Sequence, residues 1–411
     1  MTSAPRHLRI ALFGRFGTGN LGNDALLLAA VGRLRGHDPH VDLMCLCNAP
    51  AEVERLYGLP AKSIRRHTDK ELSSRRILPV RVGRRILDFL RMYWLMRSVD
   101  LVMVPGTGVL EGGTRRAGSF VSTLLMTALT ARIAGTRVAL VSVGVNLSAR
   151  RSTNTVLRWT MRLAHYRSFR DAHSQRCAVR LGVQPTLPRA YPDLVFGIDL
   201  PAWPATQPSS GLVGVGLMDC RSVFFGNDPV RRDAIADGYL ESITSLVGWL
   251  LDRGKHVLLL TGAWKDEEIA EQVVSRLPRR TQGASIKIAR SKSIVELMSY
   301  MRHVDFLIAS RYHNIVAAML TETPVISIGY GPKHTELMIA MGLEQFVQAA
   351  DRIDDARLRE QCSQLERSAA KISSQARRTK VEFQDLVNQQ WSILGHMIWS
   401  ELSDRASSSR R

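Results

Sequence analysis

Apolar residues in the chain fall into short continuous runs of strand length, separated by amphipathic stretches of helical length. The runs lack polar alternation, which is typical of parallel strands that are buried on both faces of a sheet. We therefore predict alternating strands and helices along the whole chain. The predicted strands of the first half are residues 8–13, 41–47, 99–104, 136–143 and 166–171.

The alternation restarts after residues 201–210, a stretch rich in proline and serine where we place a domain boundary. Repeated strand–helix–strand units predict an α/β fold with two Rossmann-like, doubly wound parallel-sheet domains. The predicted ranges are 1–205 for the N-terminal domain, 206–402 for the C-terminal domain and 403–411 for a disordered tail. The predicted strands of the second half are residues 211–217, 256–261, 285–289, 305–309 and 324–329.

A glycine-rich loop follows the first predicted strand and precedes a predicted helix, residues 23–34. Gly17, Gly19 and Gly22 satisfy the Gly-x-Gly-x-x-Gly spacing of dinucleotide sites. Such a site needs an acidic residue at the end of the second strand, where this chain has Asn48. We therefore do not expect NAD as a ligand.

The same loop carries three side chains that can hold a hydroxyl group: Asn20, Asn23 and Asp24. A helix N-terminus next to them would supply free N–H groups and a favourable dipole. We expect this loop to contact an acceptor substrate, and the alternative is an ordinary tight turn.

The best candidate chemistry lies at the ends of the last two predicted strands. Residues 310–314 (Ser-Arg-Tyr-His-Asn) follow one strand and residues 330–334 follow the next. Ligands of open α/β sheets bind at the carboxyl ends of the strands, so these segments are predicted to bind a small, doubly charged anion. The candidate side chains are Arg311, His313, Asn314, Tyr330, Lys333 and His334.

Some of these side chains also have a structural interpretation. Arg311 can pair with a structural carboxylate, and His313 can cap the helix that follows. In the first half, Arg170 either reaches the anion or forms a tie with Asp171. Two glycines after another strand are expected to line a ligand cleft with their backbone: Gly106 and Gly108.

The formal net charge of +19 adds a possible partner class. The basic residues are mostly arginine and are spread along the chain without a zinc-finger or RNP signature, so we do not expect nucleic-acid binding. A basic surface favours phosphorylated or acidic substrates and an anionic membrane face. Residues 86–95 have amphipathic helical spacing with aromatic residues, which fits a membrane-surface patch or a core-facing helix with solvated arginines.

The five cysteines form neither a disulfide framework nor a zinc site. Cys45 and Cys47 would share one face of a strand, so we expect core packing in a reduced, cytoplasmic compartment. The N-terminus lacks the apolar core of a signal peptide, and arginine and glycine interrupt the apolar stretch 120–145, so no transmembrane helix is predicted. No His/Cys/Asp cluster has metal-ligand spacing, which predicts a metal-independent protein.

Four stretches, in order along the chain, together resemble one known family, the polysaccharide pyruvyl transferases. Residues 310–314, with the strand and the Tyr-x-x-Lys turn that follow, look like its C-terminal signature. Residues 19–25 (Gly-Asn-Leu-Gly-Asn-Asp-Ala) are similar to its Gly-Asn-x-Gly-Asp-Glu-Ala motif. Residues 105–110 stand where the family has three glycines, and residues 170–174 are similar to its Arg-Asp-x-x-Ser element.

Two positions depart from the family pattern, since Asn23 replaces the usual Asp and Thr107 replaces the middle glycine. The resemblance implies a GT-B-like fold with a cleft between an N-terminal acceptor domain and a C-terminal phosphoenolpyruvate domain. It implies transfer of a pyruvyl group from phosphoenolpyruvate to two hydroxyls of a sugar, which forms a cyclic ketal and releases phosphate. No further cofactor is expected.

Such a reaction needs a group that gives and takes protons near neutral pH, and His313 is best placed to do so. Asp24 is the second catalytic candidate. The carboxylate and phosphate of the donor call for cationic partners, for which Arg311 and Lys333 are the candidates. The remaining predicted substrate-binding residues are His334, Tyr330, Asn314, Arg170, Gly19, Asn20, Gly22, Asn23, Gly106 and Gly108.

Two other functions are compatible with the same architecture: a GT-B glycosyltransferase that uses a nucleotide sugar, and a non-catalytic sugar-binding protein. The intact set of Arg311, His313 and Lys333 argues against the second. The acceptor is expected to be a glycan or a lipid-linked sugar. Because family acceptors are often lipid-linked, the resemblance also implies peripheral contact with an anionic membrane, on the inner face, through basic residues such as Arg81, Arg84, Arg85 and Arg91.

Overall fold

The computed structural model describes residues 7–64, 78–106, 108–111, 119–203, 211–224, 228–278 and 285–408, without the side chains of 78–84 and 398–408. These residues belong to two compact units. Unit 1 takes its residues from 1–18, 26–198 and 385–411, and unit 2 takes its residues from 19–25 and 199–384.

The main sheet of unit 1 has six parallel strands, and two short strands form a separate pair. The strands are β1 (Arg9–Phe13), β2 (Asp42–Cys47), β3 (Ala61–Ser63), β4 (Leu101–Pro105), β5 (Leu110–Glu111), β6 (Arg137–Val143), β7 (Val145–Asn146) and β8 (Tyr166–Phe169). The main sheet has the order β3-β2-β1-β4-β6-β8, and β5 pairs with β7. The central strands are apolar on both faces because helices cover both, and every residue of β4 is buried.

Helices connect these strands as the amphipathic stretches predict. They are α1 (Leu21–His37), α2 (Pro50–Tyr57), α3 (Leu78–Arg97), α4 (Ser119–Ala134), α5 (Arg151–Leu163) and α6 (Ala172–Arg180). The first turn of α1 belongs to segment 19–25 and therefore to unit 2.

Unit 2 repeats the arrangement with six parallel strands: β9 (Leu212–Leu217), β10 (His256–Thr261), β11 (Ile286–Ala289), β12 (Phe306–Ala309), β13 (Val325–Gly329) and β14 (Val347–Ala349). Their order is β11-β10-β9-β12-β13-β14. The helices are α7 (Cys220–Val223), α8 (Pro229–Asp252), α9 (Lys265–Arg276), α10 (Ile294–Met301), α11 (Tyr312–Leu320), α12 (Pro332–Ala340), α13 (Asp355–Arg367) and α14 (Ala369–Ser408). Short 3-10 turns span Leu194–Gly197 and Glu344–Phe346.

Both main sheets reverse their strand order at the first strand, between β1 and β4 and between β9 and β12. A doubly wound sheet opens a crevice for ligands at this point, outside the carboxyl ends of the strands. The loops that follow β9, β10, β12 and β13 are therefore the expected site of chemistry in unit 2.

The units differ from the predicted domain ranges in three segments, because residues 19–25 and 199–203 group with unit 2 and residues 385–411 with unit 1. The predicted boundary at 205 falls among residues 204–210, which lie outside the described residues. Helix α14 continues through Ser408, so the predicted tail is helical up to that residue, and 409–411 are not described.

All five cysteines are buried, which confirms that Cys45 and Cys47 pack in the core. None of the helices in the described part of the chain is both long and apolar enough to cross a bilayer.

Candidate active site

Predicted site residues of unit 2 meet at the carboxyl ends of β12 and β13, which are adjacent parallel strands. His313 lies in the first turn of α11, and Lys333 lies in the first turn of α12. The Tyr312 ring is close to both, since its centroid lies 5.2 Å from the His313 ring and 5.7 Å from Lys333 Nζ. Lys333 Nζ also lies 4.8 Å from the Tyr330 ring. An imidazole and an ammonium group therefore both lie beside the Tyr312 ring.

Two helices begin at these same strand ends. The N-cap of α11 is Arg311, whose side chain makes no capping hydrogen bond, and the N-cap of α12 is Gly331, which has no side chain. A helix N-terminus carries partial positive charge, so two of them at neighbouring strand ends favour an anion. We gave capping of this helix as the structural alternative for His313, but the N-cap residue is Arg311.

Arg311 is held by a carboxylate that the sequence analysis did not identify. Its Nε donates to Asp266 Oδ2 at 2.9 Å, and its Nη2 donates to Asp266 Oδ1 at 2.5 Å. Burial opposes the charge of the guanidinium, but Asp266 more than offsets this, so the pKa of Arg311 is raised above its ordinary value. Arg311 therefore has the structural carboxylate partner that we gave as an alternative. Contact between Arg311 and a ligand stays a prediction.

Asp266 also organises the loops around it. The side chain is fully buried and accepts hydrogen bonds from the backbone N–H groups of Asp219 (2.9 Å) and Gly262 (3.2 Å), which follow β9 and β10. One carboxylate therefore joins the ends of β9, β10 and β12. The signal for it in the sequence was an acidic residue in the first turn of a helix directly after a buried strand.

Asn314 is wedged between two strands of unit 2. A Cβ on Gly216 would lie 2.8 Å from Asn314 Nδ2, and a Cβ on Gly262 would lie 2.8 Å from its Oδ1, so only glycine fits at either position. The side chain is buried, and its Nδ2 has no hydrogen-bond acceptor among the described residues. A buried donor without a partner costs about 1–3 kcal/mol, which marks this amide for a functional explanation.

The segment 19–25 brings the first predicted motif against His313. A Cβ on Gly22 would lie 2.0 Å from His313 Nδ1, so the imidazole packs on the bare backbone of Gly22. Asn20 Oδ1 accepts hydrogen bonds from the N–H groups of Gly22 (3.1 Å) and Asn23 (3.2 Å) and so caps α1. Asp24 follows in the same turn and is buried. Whether Asn20, Asn23 and Asp24 contact an acceptor stays a prediction.

Gly19 fixes this segment to the loop after β10. Its φ of 75° lies in the left-handed region that favours glycine, and a Cβ at this position would lie 2.3 Å from the Trp264 ring. Trp264 N donates to Gly19 O at 3.2 Å, and Leu21 N donates to Gly262 O at 3.1 Å. The segment is therefore tied by its backbone to the loop that carries Asp266.

His334 has a different position from the one predicted. Its side chain is fully buried, its Nδ1 lies 3.3 Å from Gly331 O, and its ring centroid lies 4.4 Å from that of Tyr330. The imidazole therefore packs beneath the start of α12. A direct contact with a substrate would require this side chain to move, and its substrate-binding role stays a prediction.

A cleft of about 540 Å³ opens beside Tyr330 in unit 2. Phe224, Gln348, Glu336 and Asp351 contribute to its lining. Two carboxylates disfavour a doubly charged anion, whereas aromatic, amide and carboxylate groups suit the hydroxyls of a sugar. We therefore do not assign this cleft to the donor.

Arg170 in unit 1 is surrounded by carboxylates. Its guanidinium nitrogens lie 2.7 Å from Glu111 Oε1, 3.5 Å from Asp171 Oδ2 and 3.7 Å from Asp193 Oδ2, and its side chain is 3% exposed. The structure thus contains the tie to Asp171 that we gave as an alternative, together with two partners that we did not predict. Asp171 also caps α6 through the N–H of Ser174, at 2.7 Å.

The glycines of unit 1 make room for this ion cluster and for the core. A Cβ on Gly108 would lie 2.9 Å from the Glu111 carboxyl carbon, and a Cβ on Gly144 would lie 2.6 Å from Arg170 Nη2. Gly106 has a φ of 52°, and a Cβ there would lie 2.5 Å from a Leu26 methyl. Their predicted role in lining a ligand cleft stays a prediction, and Thr107 lies outside the described residues.

Other buried ionisable groups near the site do not supply a base. Burial raises the pKa of the Cys220 thiol to about 12, and Asp219 acts in the same direction. Burial also raises the pKa of Tyr239, whose hydroxyl lies 2.8 Å from Ser310 Oγ. Within the described ranges, no group of His, Cys, Asp and Glu side chains is arranged to hold a metal ion.

Comparison with solved structures defines the class of protein first. The chain is similar to a putative UDP-N-acetylglucosamine 2-epimerase from Listeria monocytogenes, with 10% identity, a TM-score of 0.61 and coverage of 96% of this chain and 98% of that one. It is also similar to the UDP-GlcNAc 2-epimerase from Neisseria meningitidis bound to UDP-GlcNAc, with 11% identity, a TM-score of 0.58 and coverage of 95% of this chain and 99% of that one. A glycosyltransferase from Rickettsia africae is similar with 9% identity, a TM-score of 0.57 and coverage of 96% of this chain and 99% of that one. These similarities confirm the predicted GT-B-like fold with two Rossmann-like domains.

The family follows from the sequence. A family model described as polysaccharide pyruvyl transferase matches residues 20–332, so the chain belongs to this family and is a transferase. The match begins in the Asn20 segment and ends at the start of α12, which spans both motifs that meet at His313. No individually curated protein matches the sequence.

Proposed function

We propose that this protein transfers a pyruvyl group from phosphoenolpyruvate to two hydroxyls of one sugar residue in a polysaccharide or glycolipid precursor. The observation that carries the proposal is that the His313 ring and Lys333 Nζ lie 5.2 Å and 5.7 Å from the centre of the Tyr312 ring, at the carboxyl ends of β12 and β13, in a chain of this family. The two helix N-termini at the same strand ends favour a donor that carries both a carboxylate and a phosphate.

In the proposed reaction, C3 of the enol takes a proton while one acceptor hydroxyl adds to C2 and loses its own proton. The second hydroxyl then displaces phosphate from C2, which closes the ketal, and the proton of that hydroxyl leaves with the phosphate as hydrogen phosphate. His313 is the group that gives the first proton and takes up a proton again at neutral pH. Lys333 holds the donor's charge as a point cation. Arg311, fixed by Asp266, presents its remaining N–H groups to the same volume.

Segment 19–25 supplies the acceptor side in this proposal. It packs against His313 through Gly22, so an acceptor hydroxyl held by Asn23 or Asp24 would lie near the proton-transferring ring. No cofactor or metal takes part in the scheme. Activity that is lost in chelator and restored by magnesium would show that a metal is required after all.

A ligand-protection experiment tests the donor assignment. Phosphoenolpyruvate at about 100 times its Kd should stabilise the folded protein by about 2.7 kcal/mol and raise its melting temperature. UDP-GlcNAc is the competing ligand, because solved proteins of the same fold are bound to it. Protection by UDP-GlcNAc alone would favour a glycosyltransferase. Phosphate release from phosphoenolpyruvate over a panel of free and lipid-linked glycans then identifies the acceptor.

A further inference from the structure

Helix α3 turns an apolar face toward solvent. Four large side chains on it are between 47% and 66% exposed: Ile86, Leu87, Leu90 and Trp94. At 100° per residue, these four and two exposed arginines, Arg91 and Arg97, fall within an arc of about 140°. A surface helix of a globular protein normally presents charged and polar residues on this side.

The exposed arc is not the side by which α3 packs on its own unit. Met92, Leu95 and Met96 are buried in the core on the opposite face. The helix therefore has a second apolar face in addition to its core face. The sequence analysis left open a membrane patch or a core-facing helix with solvated arginines, and α3 has both a core face and an exposed apolar face.

The next two helices of unit 1 also carry exposed apolar side chains. Helix α3 packs against α4, and α4 packs against α5. Leu129 and Ile133 on α4 and Trp159 on α5 are also exposed. Seven of the fifteen large apolar side chains that are exposed among the described residues thus lie on these three consecutive helices, which distinguishes this surface from scattered apolar contacts with water.

The same three helices are strongly basic. Their sequences contain nine arginines and a single acidic residue, Asp88. The guanidinium carbons of Arg97 and Arg162 each lie 5.8 Å from the ring of an exposed tryptophan, Trp94 and Trp159 respectively. Aromatic rings beside arginines are suited to the boundary between acyl chains and headgroups, where one end of the side chain is apolar and the other is hydrated.

We propose that the exposed faces of α3, α4 and α5 form a docking surface for an anionic lipid bilayer, with α3 lying in the plane of the interface. Charge complementarity selects this occupant. A second copy of the chain would bring one arginine-rich surface against another, and nucleic acid would leave the leucine, isoleucine and tryptophan side chains in water. A bilayer with anionic headgroups satisfies both the charge and the apolar side chains. The proposal is independent of the proposed reaction.

Vesicle sedimentation with the full chain tests this surface. We expect the protein to sediment with vesicles that contain phosphatidylglycerol and to remain in solution with pure phosphatidylcholine. Leu90→Gln/Trp94→Gln should lower partitioning onto the anionic vesicles by about tenfold or more, since two exposed apolar side chains no longer insert. Arg85→Gln/Arg91→Gln should weaken binding and reduce its salt dependence.

The matched control is Val230→Gln/Val381→Gln, which removes two equally exposed apolar side chains from unit 2 and should bind like the parent. A second measurement follows the fluorescence of Trp94, taken as the difference between the emission of the parent protein and that of Trp94→Phe. This emission should shift to shorter wavelength when vesicles are added. Parent-like binding by Leu90→Gln/Trp94→Gln, or no binding of the parent to anionic vesicles, overturns the proposal. The proposal is also wrong if the parent is a dimer, Leu90→Gln/Trp94→Gln is a monomer and neither protein binds vesicles, because a second copy of the chain then covers the surface.

Discussion

Each unit has a predicted site arginine at the carboxyl end of a strand of its sheet, and these two arginines differ in the charge around them. Arg170 follows β8 and has three carboxylates within 3.7 Å. Arg311 follows β12 and has one, Asp266, in a two-bond contact. The Arg170 side chain is 3% exposed and the Arg311 side chain is 12% exposed.

The difference indicates which arginine can take part in anion binding. Three carboxylates outnumber the two cations near them, Arg170 and Arg15, the second of which interacts with Glu111. A dianion brought to Arg170 would therefore be repelled, and Arg170 is best explained as a structural centre of unit 1. The charge of Arg311 is matched by one carboxylate, and Arg311 is itself the N-cap residue of α11, whose N-terminus favours an anion. The comparison therefore favours unit 2 as the donor side, and each prediction below tests one part of it.

The largest effect on stability is expected at Arg170. Arg170→Met would leave three buried or half-buried carboxylates without their shared cation, and removal of one partner of a buried ion pair costs about 3–5 kcal/mol. We expect the free energy of unfolding in urea to fall by at least this amount. Arg180→Met, at an exposed arginine of α6, is the control and should change it little. Normal stability combined with weaker phosphoenolpyruvate binding would show that Arg170 is a ligand residue instead.

A smaller loss of about 3 kcal/mol is expected for Arg311→Met, because only one carboxylate loses its partner. A double-mutant cycle with Asp266→Asn sharpens this prediction. The two changes should be non-additive, with a coupling energy of about 1–3 kcal/mol measured by urea unfolding. Additive effects would mean that the contact between the two side chains contributes nothing to stability and that Arg311 is kept for another reason.

Gly22→Ala tests whether segment 19–25 positions His313. The new Cβ would lie 2.0 Å from His313 Nδ1, so the imidazole must move. Since a displacement of about 1 Å can cost about 10²-fold in rate, we expect kcat to fall by about that factor while phosphoenolpyruvate affinity changes little. Gly36→Ala in the same helix is the control, because a Cβ at Gly36 meets nothing within 4 Å. A variant that melts early but keeps the parent kcat would make Gly22 a purely structural residue.

The smallest effect concerns a more exposed ion pair. Burial opposes the charge of Glu322, but hydrogen bonds from Arg377 and Lys380 more than offset it, so the pKa of Glu322 is lowered. A lowered pKa stabilises the fold above the pKa of the unfolded chain, and this contribution is lost as the pH falls through the folded value. Glu322→Gln should therefore lower stability by less than about 1 kcal/mol at pH 7, and the difference should shrink below about pH 4. Melting curves at pH 7 and in acid measure this; a difference that grows in acid would contradict it.

Much of the fold could be predicted because it depends on local pattern. The runs that became β1, β12 and β13 are apolar except for Arg9 at the start of β1 and Ser327 within β13, as strands with two covered faces require. The positions of the glycines after β1 and β13 were equally visible. The grouping of residues 385–411 with unit 1 was not, because an amphipathic helix shows that it has a buried face without showing what covers that face.

The site was predictable in its residue types and less so in its pairings. His313 and Lys333 were found because they follow two adjacent strands, and adjacency follows from the parallel order. The partner of Arg311 is 45 positions away in the sequence, and the partner Glu111 of Arg170 is 59 positions away. Periodicity carries no information over such distances. The burial of His334 could not be predicted from the sequence either, because a histidine beside a ligand and a histidine beneath the start of a helix have the same neighbours in the sequence.

The measurement that tests the account most directly compares His313→Gln with His256→Gln, which changes an exposed histidine at the opposite, amino end of β10. Phosphoenolpyruvate affinity, kcat and melting temperature are measured on the same preparations. If His313 transfers the proton, His313→Gln keeps its donor affinity and loses about 10²–10⁴-fold in kcat, while His256→Gln behaves like the parent. A His313→Gln protein that melts early but turns over at the parent rate would contradict the catalytic assignment.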